Sequence, residues 1–376
     1  MNDGISVLEA YENSLEYFSG DELAANVFSG KYALPDGNGG VLESTPNDMH
    51  RRLAREFARA ESNYPNPMSE EEIYGLLSDW IIVPQGSPLS GIGNTLQIQS
   101  LSNCFVVAPP EDSYGGILFT DQEQVQIMKR RGGVGFDVSK IRPKGQPTAN
   151  AARTTDGLAI FMERFSNSCR EVAQGGRRGA LMITIDCRHP EIETFIDIKR
   201  DRKKVTGANI SIRFNDEFME CVENDEEYIL RWPVEASVED AILVKTVSAC
   251  DVWKKFIDAT HECAEPGALF WDRIISGPAD CYSSVGYSTS ATNPCAEIPL
   301  SPYDSCRLMV NNLRKYVLKP YTPNATFDFG SFHKNVIKAQ RLMDDLIELE
   351  IEAIDKILQK INDDPEEPSV KQIEVD

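Results

Sequence analysis

The sequence predicts an α/β protein in which a helical N-terminal region, residues 1–95, precedes a mainly parallel sheet with crossover helices, residues 96–361. The first hundred residues carry helix caps followed by apolar residues at helical spacing. From about Ser102 onward, short β-rich runs alternate with amphipathic helices, the order that successive βαβ units require. With 376 residues and 41% hydrophobic content, the chain can bury a core for one large domain or two ordinary ones.

In the helical region, Ser44-Thr45-Pro46 caps a helix with Pro46 at its first position, and Met49, Leu53 and Phe57 recur at a spacing of four to form one apolar stripe. Ser69 and Glu72 form a capping box for a helix over residues 70–80. In the α/β region the β-rich runs predict strands at residues 104–108, 181–186, 209–214, 241–247 and 268–272. Helices are predicted at 121–130, 155–170, 191–200, 216–223 and 249–264. Residues 276–292 are rich in Ser, Gly and Tyr without helical period and predict a long loop, a feature that is usually functional inside a compact domain. A long helix over residues 332–361 places Val336, Ala339, Met343, Leu346, Ile347, Ile351, Ile354, Leu358 and Ile361 on one side, and that stripe needs a partner surface. The acidic residues 362–376, with Pro365 and Pro368, predict a disordered tail or linker.

Composition narrows the function. Fifty-nine acidic against 38 basic residues, a net charge of −21, argue against a nucleic-acid surface, because phosphate binding needs a basic footprint. No apolar run approaches the roughly 20 residues of a membrane span, and Met1 to Glu16 lacks the basic-then-apolar order of a signal peptide, so a cytoplasmic chain is expected. Nine cysteines without a CxxC pair predict neither a disulfide framework nor a zinc site, but buried thiols and a few catalytic ones. The four histidines are scattered, and His261 with Cys263 reads as an ordinary helix carrying both.

The most informative stretch is Asn293-Pro294-Cys295-Ala296-Glu297, where an amide, a thiol and a carboxylate alternate and on an extended loop can all face one small substrate. That arrangement suits removal of a hydroxyl from a sugar. Taken alone, the five residues read better as a proline turn with a buried cysteine. Three cysteine motifs in order, Leu101-Ser102-Asn103-Cys104-Phe105-Val106, Asn293 to Glu297, and Ser301-Pro302-Tyr303-Asp304-Ser305-Cys306, resemble those of ribonucleotide reductases. The stretches Lys129 to Asp137 and Gly175 to Met182, with Leu15 to Phe18 and Lys31 to Leu34, are most similar to the adenosylcobalamin-dependent class II members.

The resemblance implies the first half of a ten-stranded α/β barrel with a central finger loop. It implies that Cys295 becomes a thiyl radical and abstracts the ribose 3′-hydrogen, that Glu297 takes the 3′-hydroxyl proton, and that Asn293 holds the substrate hydroxyls. Cys104 and Cys306 would supply two electrons and leave as a disulfide. Ser87, Ser102 and Asn103 are the candidate substrate-binding residues. Ser87 lies where the family contacts the substrate diphosphate, with a plain turn as the competing reading. Asp112 and Arg142 flank the implied site of a deoxynucleoside triphosphate effector, and Gly175 to Gly179 is the implied mobile relay loop. The remaining cysteines, Cys169, Cys187, Cys221, Cys250, Cys263 and Cys281, are expected to be packing residues.

The opening helices carry no basic, phosphate-cradling pattern, so overall control by ATP and dATP is not expected. The serine/threonine-rich phosphate loop and C-terminal cysteine pair of the family have no counterpart in the sequence. The expectation is a ribonucleoside di- or triphosphate reductase that works with a second polypeptide carrying the rest of the barrel, as a homodimer or hetero-oligomer. The alternatives are a nucleotide-binding regulatory module without catalysis, and a class I large subunit served by a separate metalloprotein.

Overall fold

The computed structural model of the chain describes residues 4–174 and 177–375, which form two compact units. The first unit takes in residues 4–103 and 307–375. It begins with helices α1 (Val7–Tyr17), α2 (Glu22–Lys31), α3 (Pro46–Glu61) and α4 (Glu70–Ser78), then strand β1 (Ile82–Pro84) and helix α5 (Gly86–Gly91). The expected caps are in place. Pro46 starts α3, the Asp48 carboxylate accepts from the Thr45 amide at 3.0 Å, and Ser69 Oγ accepts from the Glu72 amide at 3.2 Å. Met49, Leu53 and Phe57 are buried against Ile73 and Leu77 of α4, as their spacing predicts.

The second unit, Cys104–Gln174 and Arg178–Cys306, contains the sheet. Its elements are β2 (Cys104–Val106), α6 (Tyr114–Met128), β3 (Gly133–Asp137), α7 (Leu158–Glu171), the short pair β4 (Ala173–Gln174) and β5 (Arg177–Arg178), β6 (Leu181–Asp186), α8 (Ile192–Asp197), β7 (Asn209–Phe214) and α9 (Asp216–Asn224). A hairpin of β8 (Glu227–Trp232) and β9 (Leu243–Ser248) follows, then α10 (Ala249–Cys263), β10 (Gly267–Phe270) and α11 (Trp271–Ile275). The unit closes with β11 (Ala291–Thr292), β12 (Pro299–Leu300) and β13 (Ser305–Cys306). The main sheet has six strands in the order β10-β7-β6-β3-β2-β13, all neighbours parallel except β13, which runs antiparallel to β2. Both strands predicted at 181–186 and 209–214 are found with those bounds.

Two strands of five or more residues escape the sequence pattern. β3 reads Gly-Val-Gly-Phe-Asp and is buried along its whole length, so it shows neither alternation nor a β-branched run. β8 alternates buried Tyr228, Leu230 and Trp232 with less buried residues, and it pairs with the strand expected at 241–247, so that strand belongs to a separate hairpin rather than to the main sheet.

The first unit is completed by β14 (Met309–Asn311), antiparallel to β1, the pair β15 (Val317–Leu318) and β16 (Thr326–Phe327), then α12 (Phe329–Asp363) and α13 (Pro368–Val375). The single apolar stripe expected on α12 divides in two. Ala339, Leu342, Leu346 and Leu349 are buried in the core that α3 and α4 share, whereas Ile347, Ile351 and Ile354 are exposed. Much of the partner surface that the stripe needs is thus the chain's own α3. The disordered tail expected after residue 362 is corrected as well. Pro368 opens α13, because at the first turn of a helix the missing N–H of proline costs nothing, and Lys371 Nζ donates to the Asn362 carbonyl at 2.9 Å. Among the described residues no helix is long and apolar enough to cross a membrane.

The interface of α3 with α12 contains buried acid. Glu61 accepts from Arg341 and from the Met68 amide, and Asp345, with neither oxygen exposed, faces Glu61. Burial and the adjacent Glu61 charge push the Asp345 carboxyl up to about 7, against the attraction of Arg341. A carboxyl raised in the folded state binds its proton more tightly there than in the unfolded chain, so its contribution to stability is present at acidic pH and is lost as pH rises through about 7. Chemical denaturation between pH 5 and 8 should show this decline in the parent and a flatter profile in Asp345→Asn. Identical pH profiles would mean that the pair does not share a proton.

Candidate active site

The site is built on the amino ends of the central strands. Strand register places Cys306 opposite Cys104 and Cys104 beside Gly133, so β13, β2 and β3 carry these three residues in one row. On β3, residues 133 and 135 share a face, and both are glycine for a steric reason. A Cβ on Gly135 would stand 1.9 Å from the Thr292 carbonyl oxygen, and one on Gly133 would stand 2.8 Å from Pro294 Cγ. The glycines let the backbone of residues 292–294 lie directly on the sheet.

That backbone belongs to a tight hairpin. β11 and β12 pair antiparallel, with Ala291 opposite Leu300 and Thr292 opposite Pro299, and residues 293–298 form the tip. Asn293 closes it: its amide donates to the Ile298 carbonyl at 3.1 Å, its Oδ1 accepts from the Ile298 amide at 3.1 Å, and its carbonyl accepts from the Ala296 amide at 3.0 Å. Ala296 turns the chain with φ +67°. The motif is therefore a turn rather than an extended run. Asn293 is buried and points its Nδ2 toward Cys306 Sγ at 3.9 Å, while Cys295 and Glu297 are exposed.

The three thiols differ by environment. Cys104 and Cys306 are buried and hydrogen-bonded to each other. The bond to the Cys306 sulfur, with burial, pushes Cys104 up, and the same bond from Cys104 holds Cys306 below an ordinary thiol despite its burial. Burial first, and then the charges of Glu297 and Cys306, raise Cys295, so at neutral pH it keeps its S–H hydrogen. Opposed residues on antiparallel strands have Cα atoms roughly 4.5–5.5 Å apart, inside the span of about 4.4–6.8 Å that a disulfide requires. All nine cysteines are free thiols. Burial pushes Cys169 to about 11 and Cys187 to about 12, which suits inert packing residues. Cys221, Cys250 and Cys263 are half-buried, and Cys281, in the 276–292 loop, is exposed instead of packed.

Asp112 and Arg142 come together beside a cavity of about 440 Å³ that Tyr114, Thr148, Asn150 and Phe161 also line. Asp112 does not face the cavity as a free acceptor. Its carboxylate takes the Arg142 amide at 2.9 Å and Arg142 Nε at 2.7 Å, and Arg142 Nη1 donates to the Pro147 carbonyl at 2.5 Å, so the guanidinium is held by its own loop. Ser87, Ser102 and Asn103 lie in the first unit. Ser87 is buried at the start of α5, Ser102 Oγ donates to Glu350 at 3.2 Å, and Asn103 Oδ1 accepts from the Leu308 amide at 3.3 Å. Of the segment Gly175 to Gly179, Gly175 and Gly176 lie outside the described residues. The sequence reading missed Gly133 and Gly135 as site residues; the available signal was glycine repeated at strand spacing within an apolar run.

The parallel sheet thus carries a cross-strand thiol pair under a hairpin bearing a third, exposed thiol. The chain belongs to the ribonucleotide reductase family: residues 102–364 match the model of the ribonucleotide reductase barrel domain and residues 18–97 that of its all-alpha domain. It is 33% identical over 311 residues to a vitamin B12-dependent ribonucleoside-diphosphate reductase of Thermoplasma acidophilum, covering 82% of this chain and 38% of that protein. It is 30% identical over 332 residues to the enzyme of that name from Mycobacterium tuberculosis (87% and 45% covered), and 28% identical over 342 residues to a vitamin B12-dependent ribonucleotide reductase of Streptomyces clavuligerus (84% and 34%). The chain thus spans less than half the length of these relatives.

Mild oxidation of the chain with diamide should join Cys104 to Cys306, seen as a disulfide-linked peptide pair by mass spectrometry and absent in Cys306→Ser. Recovery of both as free thiols would contradict the pairing of β2 with β13.

Proposed function

We propose that the chain supplies the first half of the ten-stranded α/β barrel of an adenosylcobalamin-dependent ribonucleotide reductase, with residues 293–298 as its central finger loop. The observation that carries this reading is the placement of Cys295 at the tip of a hairpin whose base is tied through Asn293 to the Cys104–Cys306 pair. A regulator that only bound nucleotides would have a use for the Asp112–Arg142 cavity but none for this thiol cluster.

Within this reading, the Cys295 sulfur radical takes the 3′-hydrogen of a ribonucleoside di- or triphosphate and Glu297 takes the 3′-hydroxyl proton. The 2′-hydroxyl leaves as water, and Cys104 and Cys306 supply the two electrons and protons, ending as a disulfide while the 3′-hydrogen returns from Cys295. For Asn293 to hold the substrate hydroxyls, its amide must turn from Cys306 Sγ, and at 3.9 Å that is its weakest contact. Ser87, Ser102 and Asn103 are assigned to the substrate. Of these, Ser102 and Asn103 are held by Glu350 and the Leu308 amide, so they act as a preset surface. The exposed thiol of Cys295, which retains its hydrogen, fits a cofactor that delivers a radical from outside the hairpin. Adenosylcobalamin, when bound, supplies that radical by homolysis of its carbon–cobalt bond. The dependence on vitamin B12 in the relatives' names supports it over a separate metalloprotein.

A deoxynucleoside triphosphate is assigned to the Asp112–Arg142 cavity, where Asp112 fixes the guanidinium that meets phosphate. Turnover is assigned to an assembly that includes the segments corresponding to the remainder of the relatives' length, in this polypeptide or in a second one. The open sheet edges at β10 and β13 and the exposed Ile347, Ile351 and Ile354 on α12 are where such segments could be received.

Two measurements test the reading. Cys295→Ser should abolish ribonucleotide reduction by the assembled enzyme and leave nucleotide affinity unchanged, because a hydroxyl resists radical formation; turnover near the parental rate would rule Cys295 out as the radical site. Arg142→Ala should weaken deoxynucleoside triphosphate binding by about 1.5–3 kcal/mol in calorimetry, the scale of a charged hydrogen bond lost. Unchanged affinity would place the effector elsewhere.

A further inference from the structure

Cys295 has no hydrogen bond of its own among the described residues, so its position is set by whatever holds the chain before it. Two side chains of β7 do so. Asn209 Nδ2 donates to the Pro294 carbonyl at 3.0 Å, and Arg213 Nη1 donates to the Ser290 carbonyl at 2.9 Å. Residues four apart on a strand share a face and stand about 13 Å apart, and residues 290 and 294 are also four apart. The segment 290–294 therefore lies along that face in the opposite direction to β7, gripped at both ends by side chains bonded to its backbone. Between the two grips, Gly135 admits the Thr292 carbonyl at a distance no side chain would allow.

The two grips differ in stiffness. Arg213 is buried, with Nε 3.2 Å from Asp137 Oδ2, Nη2 3.4 Å from Asp186 Oδ2, and its guanidinium 4.6 Å from the Trp271 ring centre. Its guanidinium is thus held between two carboxylates and an aromatic ring. It anchors the base of the hairpin at the carboxyl end of β7. Asn209, at the amino end, has one bond to the hairpin, and that bond falls on the residue directly before Cys295.

We propose that Asn209 and Arg213 are positioning residues for Cys295: β7 serves as the template that sets how far the hairpin tip reaches, with Asn209 making the final adjustment. The proposal rests on the reading of Cys295 as the radical-bearing thiol, but the grip itself can be measured without turnover.

Hydrogen exchange followed by mass spectrometry on the full chain gives that measurement. In Asn209→Ala, amides in the peptide spanning residues 291–300 should exchange about five- to tenfold faster, the scale of one net hydrogen bond lost, while peptides from β6 keep the parental rate. Arg213→Lys, which keeps the charge between Asp137 and Asp186 but withdraws the fork from Ser290, should loosen the same peptide. In the assembled reductase, Asn209→Ala should lower kcat with KM unchanged, because the substrate surface is intact and only the thiol is displaced. Parental exchange across residues 291–300 in both variants, or equal acceleration in β6, would overturn the proposal. Turnover by Cys295→Ser would instead remove the chemical reading and leave the exchange result standing.

Discussion

The close approach of one backbone to another is the constraint on which the site depends. A loop that carries a reactive side chain must be both near the sheet and immobile, and ordinary side chains on the strand beneath would hold it off by several ångströms. Gly133 and Gly135 remove that spacer, and the Thr292 carbonyl comes to within 1.9 Å of where a Cβ would stand on Gly135. Glycine in a strand costs conformational entropy and side-chain packing. Here the cost is offset by the burial of β3 on every residue and by Val134 and Phe136, which fill the opposite face with the aromatic pair Phe136–Phe165 at 4.9 Å.

Once the hairpin lies on the sheet, the chemistry of the thiols follows from who is buried with whom. Cys104 and Cys306 occupy opposed positions in an antiparallel pair at the edge of an otherwise parallel sheet, the geometry in which two thiols can form a bond without backbone movement. Their shared hydrogen bond pushes Cys104 up and Cys306 down from an ordinary thiol. Cys295 is exposed at the hairpin tip, and its partial burial there, followed by the charges of Glu297 and Cys306, keeps it as a thiol. One strand reversal, at β13, thus sets Cys306 opposite Cys104 and apart from the exposed Cys295.

In the helical unit the charge balance is managed differently. Three carboxyl groups are buried where α12 packs, and each has a distinct resolution: Glu61 has Arg341 and a backbone amide, Glu350 accepts from Ser100, Leu101 and Ser102, and the Asp345 carboxyl is pushed up to about 7 beside Glu61. Glu350 is notable because its donors are consecutive residues of the segment that carries Ser102 and leads to Asn103. A buried carboxylate with three donors is a rigid clamp, since releasing any donor leaves a buried acceptor without its partner.

What the sequence determined by itself was local or periodic. Helix starts at Pro46 and Glu70 follow from side chains capping amides three residues away, the strands Leu181–Asp186 and Asn209–Phe214 from continuous apolar and β-branched runs, and the family from three cysteine motifs in order. Each is readable because the interaction that causes it lies within a few residues. Tertiary structure alone decided the rest. β3 was hidden because its glycines are chosen by a hairpin more than 150 residues later, and the apolar residues of α12 were divided by α3, nearly 300 residues earlier. The Asn293–Glu297 motif was legible as chemistry but not as shape, since whether alternating side chains share a face depends on the turn at Ala296 and on the bonds that Asn293 makes across the hairpin. Asn209 and Arg213 carried no signal, because a side chain bonded to a distant carbonyl leaves no mark on its own neighbours: in sequence they are an unremarkable strand, and only the chain folded back over them gives them a partner.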